Sequence, residues 1–144
     1  MKANFYFLLT IVLLVFTSCE KDEDSIVGNW KAINLVTTSC NDASENVSLN
    51  FNEGCSDFIF GEICIDVSFA KNGTYVVTTK TSAFGETQSE KSEGSWEIVS
   101  GKLNLCEDGG ECELSPYTLD NNILTFSSTD SDGGCKTTFK VKKN

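Results

Sequence analysis

The segment from Glu62 to Ala70 constrains the chain more than any other: Ile63, Ile65, Val67 and Phe69 occupy one phase of a two-residue period, and Cys64, Asp66 and Ser68 the other. Successive side chains of an extended strand point to opposite faces, so this segment buries one face and leaves the other wet. Lys71-Asn72-Gly73 follows, and Asn-Gly supplies the positive φ angles that a tight hairpin turn requires. Similar short alternating stretches recur to the C-terminus with no sustained 3.6-residue period, which predicts a domain built almost wholly of strands. Read in order, they number eight: A at about 29–38, B at 62–70, C at 74–80, D at 90–99, E at 102–106, F carrying Tyr117 and Leu119, G carrying Leu124 and Phe126, and H at 135–142. Strand A breaks phase. Trp30, Ala32 and Val36 share one face and Ile33 and Leu35 the other, so a bulge or a cover on its outer face is required.

The connections alternate in length. B to C, D to E and F to G are tight, whereas A to B (39–61), C to D (81–89), E to F (107–111) and G to H (130–134) are longer and rich in Ser, Gly, Asp and Glu. In an eight-stranded antiparallel up-and-down barrel alternate connections fall at opposite ends, so this all-β chain is expected to have one end closed by turns and one mouth framed by loops. Phe69, Tyr75, Tyr117, Phe126 and Phe139 are the candidate cavity residues, and Trp30 and Trp96 are expected to plug the closed end. Eight strands leave room for side chains or for one small ligand.

Residues 1–18 comprise a start bearing Lys2, an apolar run from Phe5 to Phe16, and Thr17-Ser18 before Cys19. That run is too short to span a bilayer, which needs about 20 residues, and has the make-up of a secretion signal. Phe16-Thr17-Ser18-Cys19 resembles a bacterial lipobox, which implies cleavage before Cys19 and acylation of that cysteine. Two or three acyl chains hold a protein on a bilayer where one does not. Residues 19–25 then form an acidic segment with no apolar side chain after Cys19, expected to be a solvated tether with a reach of roughly 20 Å when extended. It resembles the export signal that sends Bacteroidetes lipoproteins to the outer face of the outer membrane, with a generic charged spacer as the other reading. The globular domain covers 26–144.

Setting Cys19 aside as the lipid carrier leaves six cysteines, Cys40, Cys55, Cys64, Cys106, Cys112 and Cys135, all at the mouth of the expected barrel. An even set in an exported domain reads as disulfides. Cys106 and Cys112 bracket one hairpin connection and should face each other across adjacent strands. The remaining four allow three connectivities, of which Cys40 with Cys64 and Cys55 with Cys135 is the one expected, because the first would span the base of the A–B loop. With no CxxC and no His, the pattern is not that of a zinc or iron-sulfur site, and no cofactor is implied.

Composition removes further classes. All 11 basic residues are Lys, against 21 Asp plus Glu, and the side-chain charge reaches −11 once Lys2 is lost, so nucleic acid is no partner. The absence of His removes the usual general base near neutral pH, and the loop acids Asp108, Glu111, Asp130 and Asp132 lie on no apolar wall that would raise a carboxyl pKa; enzymatic activity is not expected.

Gly28-Asn29-Trp30 at the start of strand A resembles the Gly-x-Trp signature of lipocalins, and the domain resembles the lipocalin-like domains of Bacteroidetes lipoproteins. A second Gly-x-Trp, Gly94-Ser95-Trp96, the Asn-Gly hairpin after strand B, and an ending in an apolar residue and Lys carry the likeness. The Thr-Asp-Tyr motif of true lipocalins and their late Arg, which packs on the first Trp, are missing. The resemblance implies a binding module, anchored to the membrane through N-terminal acyl chains, that captures a small apolar or amphipathic molecule or a glycan fragment at its mouth. The alternative is a structural or protein-interaction lipoprotein with a filled barrel whose loops meet an external protein. Both chain ends should lie at the closed end, placing the mouth, with Asp108, Glu111, Asp130 and Asp132 on its rim, away from the bilayer.

Overall fold

The computed structural model describes residues 20–129 and 134–144; Cys19 and the apolar run before it, and Asp130 and Asp132 in the last loop, lie outside the described residues. A helix α1 (Glu20–Ile26) leads into β1 (Gly28–Thr38). A short 3₁₀ turn (Ala43–Glu45) precedes β2 (Val47–Asn50), β3 (Cys55–Phe58), β4 (Gly61–Phe69), β5 (Thr74–Ala83) and β6 (Glu86–Val99). The chain ends with β7 (Lys102–Glu107), β8 (Cys112–Ser115), β9 (Tyr117–Asp120), β10 (Ile123–Thr129) and β11 (Lys136–Lys143).

Antiparallel pairing runs β8-β7-β6-β5-β4-β1-β11-β10-β9, a nearly closed barrel, with β2 added to β1 and β3 added to β4. The two ends of this path are consecutive in sequence, separated only by Pro116. Proline has no N–H to give to a ladder, so the expected strand F divides there. Its first half pairs with β7 and its second with β10. Glu113 spans the gap, its Oε1 accepting the Thr129 N–H at 3.1 Å. Nine strands therefore stand on the path where eight were expected, because the expected strand F is divided into β8 and β9.

The phase break in β1 is a bulge: register slips between Ala32 and Asn34, which returns Leu35 to the inner face opposite Phe139. Ile33, the extra residue, is covered by the incoming chain, its carbonyl accepting the Phe51 N–H at 3.0 Å. Two expected loops are ordered strand instead. The A–B connection folds back as β2 and β3, and the C–D connection shrinks to a turn at Phe84-Gly85, because β5 and β6 keep pairing from Thr74↔Ser95 out to Ala83↔Glu86. Phe84 (φ 54°) and Gly85 (φ 83°) share the left-handed conformation of Ser100-Gly101 and Asn121-Asn122 at the other two-residue hairpins. At Lys71-Asn72-Gly73 only Gly73 has positive φ, and the three-residue loop is closed by Ala70 N–H to Thr74 O.

Three disulfides brace the mouth. Cys106–Cys112 joins directly opposed residues of β7 and β8. The other two are Cys40–Cys135 and Cys55–Cys64, not Cys40–Cys64 and Cys55–Cys135. Register decides this: β3 sets Cys55 opposite Cys64, while Thr38 pairs with Lys136 and so brings Cys40, just beyond β1, to Cys135, just before β11.

The segment expected to be an extended tether is helical. An isolated seven-residue helix is unstable in water, so its order derives from docking. Ile26 is fully buried among the core side chains, its carbonyl accepts the Trp30 Nε1–H at 2.8 Å, and Lys143 Nζ donates to the Ser25 carbonyl at 2.8 Å. Burying one such side chain contributes about 2 kcal/mol. The exposed Lys71–Asp24 pair at 3.4 Å adds little. As a helix the segment extends only about 10 Å, half the extended reach.

Candidate functional site

Trp30 and Trp96 close one end of the barrel. Trp96 Nε1 donates to the Ala70 carbonyl at 3.1 Å, and its ring meets Phe69 edge-on at 5.4 Å. Lys143 Nζ stands 5.3 Å from the centre of the Trp30 ring, so an ammonium covers the first Trp where the sequence offered no Arg. Trp30, Leu103, Leu124 and Val141 are buried at this end, each 1% exposed or less.

Above that floor the barrel opens into a cup of about 270 Å³. β4 gives it Val67 and Phe69, β5 Tyr75 and Val77, and β7 Leu105, while Phe126 of β10 and Phe139 of β11 complete the apolar wall. Phe126 and Phe139 tilt against each other at 5.6 Å, and Phe69 and Tyr75 at 6.2 Å. Four of the five expected cavity residues thus converge. Tyr117, opposite Phe126 in the β9–β10 pair, packs on the core but does not line the cup; it borders a separate shallow groove with Pro116 and Thr138. Two larger depressions, of 330 and 550 Å³, lie outside the barrel wall around Lys31, among polar side chains.

Ser92 and Glu107 form the polar part of the cup's lining. Their orientation follows from register: Trp96 pairs with Leu105 and Gly94 with Glu107, while Val77 pairs with Ser92, so Ser92 and Glu107 continue the inward phase toward the mouth. Glu113 shares that phase opposite Leu105. Tyr75, Gly94 and Glu107 form one row across three strands. A Cβ at Gly94 would stand 2.8 Å from Tyr75 Cε1, so the glycine lets the phenol ring lie across β6 toward Glu107. Burial, and then the charges of Glu107 and Asp108, hold the Tyr75 phenol above its ordinary pKa of 10.0.

The period-two signal extends to Val67, Val77 and Leu105. Ser92 and Glu107 went unmarked although Ser92 shares the phase of Trp96 and Ile98 and Glu107 that of Leu103 and Leu105, because a polar residue on an inward phase gives no apolar signal and Glu107 reads as part of the E–F loop. Below them Ser115, opposite Leu103, is buried with no hydrogen-bond partner for its Oγ among the described residues. Glu45 and Glu62 lie beside cysteine pairs, but those sulfurs are spent in disulfides and offer no thiolate to a metal.

Beyond the cup the strands β3, β4, β5 and β6 project as a finger. Its tip carries Phe58, Ile59 (90% exposed), Phe60 and Phe84 (84% exposed), with Phe60 and Phe84 stacked at 5.4 Å. Asp108 and Glu111 lie in the β7–β8 turn at the same end. Among the described residues no helix is long and apolar enough to cross a membrane. No protein-family model matches the sequence, and no curated protein matches it.

Proposed function

We propose that the chain is a lipocalin-like binding module, anchored at the outer membrane through acyl chains on Cys19, that takes a small apolar or amphipathic molecule into the cup. The observation that carries this reading is the cup itself: four aromatic rings around 270 Å³ of space at the end of the barrel opposite α1. Cys19 directly precedes α1, and Asn144 N–H bonds the Asn29 carbonyl, so both chain ends meet at the closed end. An acylated Cys19 then holds that end to the bilayer and turns the cup outward, which favours capture from the external medium over lipid exchange with the protein's own membrane.

Native mass spectrometry of protein from its own host tests the binding step. A retained small molecule is expected, and the Phe139→Trp variant, which fills the cup, should lose it. Retention by both proteins would place the molecule elsewhere; retention by neither would count against the reading. Cys19→Ala should abolish acyl labelling and membrane association, and persistence of both would refute the anchor.

A second reading, contact with an external protein, is supported by the finger tip. Exposed aromatics are costly in a solvated hairpin, and Phe84 also sits at φ 54°, a conformation that bulky side chains seldom adopt. Loss of a pulled-down partner in Phe60→Ser/Phe84→Ser, with cup binding intact, would favour it.

A further inference from the structure

We infer that the cup selects a cationic amphiphile, an alkyl- or arylammonium with an apolar body of roughly ten non-hydrogen atoms at ~30 Å³ each, over a fatty acid of the same length. This rests on the cup being a small-molecule site and names the class that the site takes.

The walls accept any apolar body of that size; the polar groups decide the head. Those on the lining belong to Ser92 and Glu107, both exposed at the mouth, with the Tyr75 ring lying along the same row toward Glu107. No cation answers Glu107. Lys80, Lys91, Lys102, Lys136, Lys140 and Lys142 all fall on the outward phase of their strands. Among the described strands the one inward lysine is Lys143, at the closed end over Trp30. Glu107 makes no ion pair among the described residues, where Lys71–Asp24 is the one salt bridge. Glu113 shares the inward phase one strand away, but its carboxylate accepts the Thr129 N–H and it does not line the cup.

A carboxylate ligand entering head-outward would place its charge beside Glu107 with no donor cation to meet it. An ammonium entering the same way gains that charge, and the faces of Phe126, Phe139 and Tyr75 attract a cation as well. Burial is the main cause that raises the Tyr75 phenol pKa, and the charges of Glu107 and Asp108 add to it.

The test uses three probes with one chain, n-octylammonium, n-octanol and octanoate, titrated calorimetrically against the disulfide-intact protein. The ammonium is expected to bind about tenfold more tightly than octanoate, with octanol between, and the ratio to shrink with added salt. Glu107→Gln should bring the ratio close to one, whereas Glu111→Gln, a rim carboxylate outside the cup, should leave it intact. Ser92→Lys, which sets an ammonium in the lining, should reverse the order and keeps the test decisive if Glu107→Gln folds poorly. Equal binding of ammonium and octanoate, an unchanged ratio in Glu107→Gln, or an equal loss in Glu111→Gln would overturn the inference while leaving a binding cup. Failure of all three probes to bind would remove the cup as a site for molecules of this size, and the proposed function with it.

Discussion

Gly94→Ala tests the packing that shapes the cup. The added methyl would stand 2.1 Å from the Cys106 carbonyl oxygen and 2.8 Å from Tyr75 Cε1, where ordinary contacts begin at about 3.4 Å. The ring can rotate away; the carbonyl cannot easily do so. Cys106 is held by pairing with Ser95 on one side and by the disulfide to Cys112 on the other. The cost should therefore reach the upper part of the overpacking range, about 2–3 kcal/mol. With a urea m-value near 2 kcal/mol/M this lowers the unfolding midpoint by about 1 M at unchanged m. A second arm separates the two clashes: in a Tyr75→Leu background, which removes the ring contact alone, Gly94→Ala should still cost most of that amount. A change below about 0.5 kcal/mol, within the range of an ordinary surface substitution, would refute the claim that the β6–β7 approach requires glycine.

Four further outcomes follow from the same geometry. Replacing Cys40 and Cys135, separated by 95 residues, should cost about 4–5 kcal/mol in the chain-entropy relation, against about 2 for Cys106 and Cys112, separated by 6; paired denaturation curves of the two double alanine variants check the order. Ser115→Ala removes a buried hydroxyl that has no partner among the described residues and should stabilise by about 1 kcal/mol, seen as a raised melting temperature. Phe84→Asn suits the left-handed turn better and should raise stability by a few tenths to about 1 kcal/mol while ending the stacking on Phe60, measured by urea unfolding. Because the folded Tyr75 phenol binds its proton more tightly than the unfolded one, its contribution to stability is complete below pH 10 and is lost as pH rises through the raised pKa. Alkaline melts should show that loss in the wild type and less of it in Tyr75→Phe.

Strand identity was legible in the sequence because a half-buried strand writes its two faces as a period of two. Ile63 to Phe69, Trp96 with Ile98, and Leu103 with Leu105 all did so, and the tight turns at Ser100-Gly101 and Asn121-Asn122 carried residues tolerant of positive φ. The broken phase of strand A announced its bulge for the same reason. Four aromatic positions of the cup followed from those phases alone. What the sequence could not convey was which strand lies beside which, and at what register. Cys55 and Cys64 meet because β3, hidden inside an apparent loop, folds back on β4; Cys40 meets Cys135 because closure of the barrel sets β11 against β1. Docking against Trp30 and Lys143 likewise made a helix of a charged segment with no helical stability of its own. Local periodicity is a property of neighbours in the chain and survives in the one-dimensional text. The mouth of the cup, its unanswered carboxylate and its disulfides join residues up to 95 positions apart, and only the tertiary pairing brings them together.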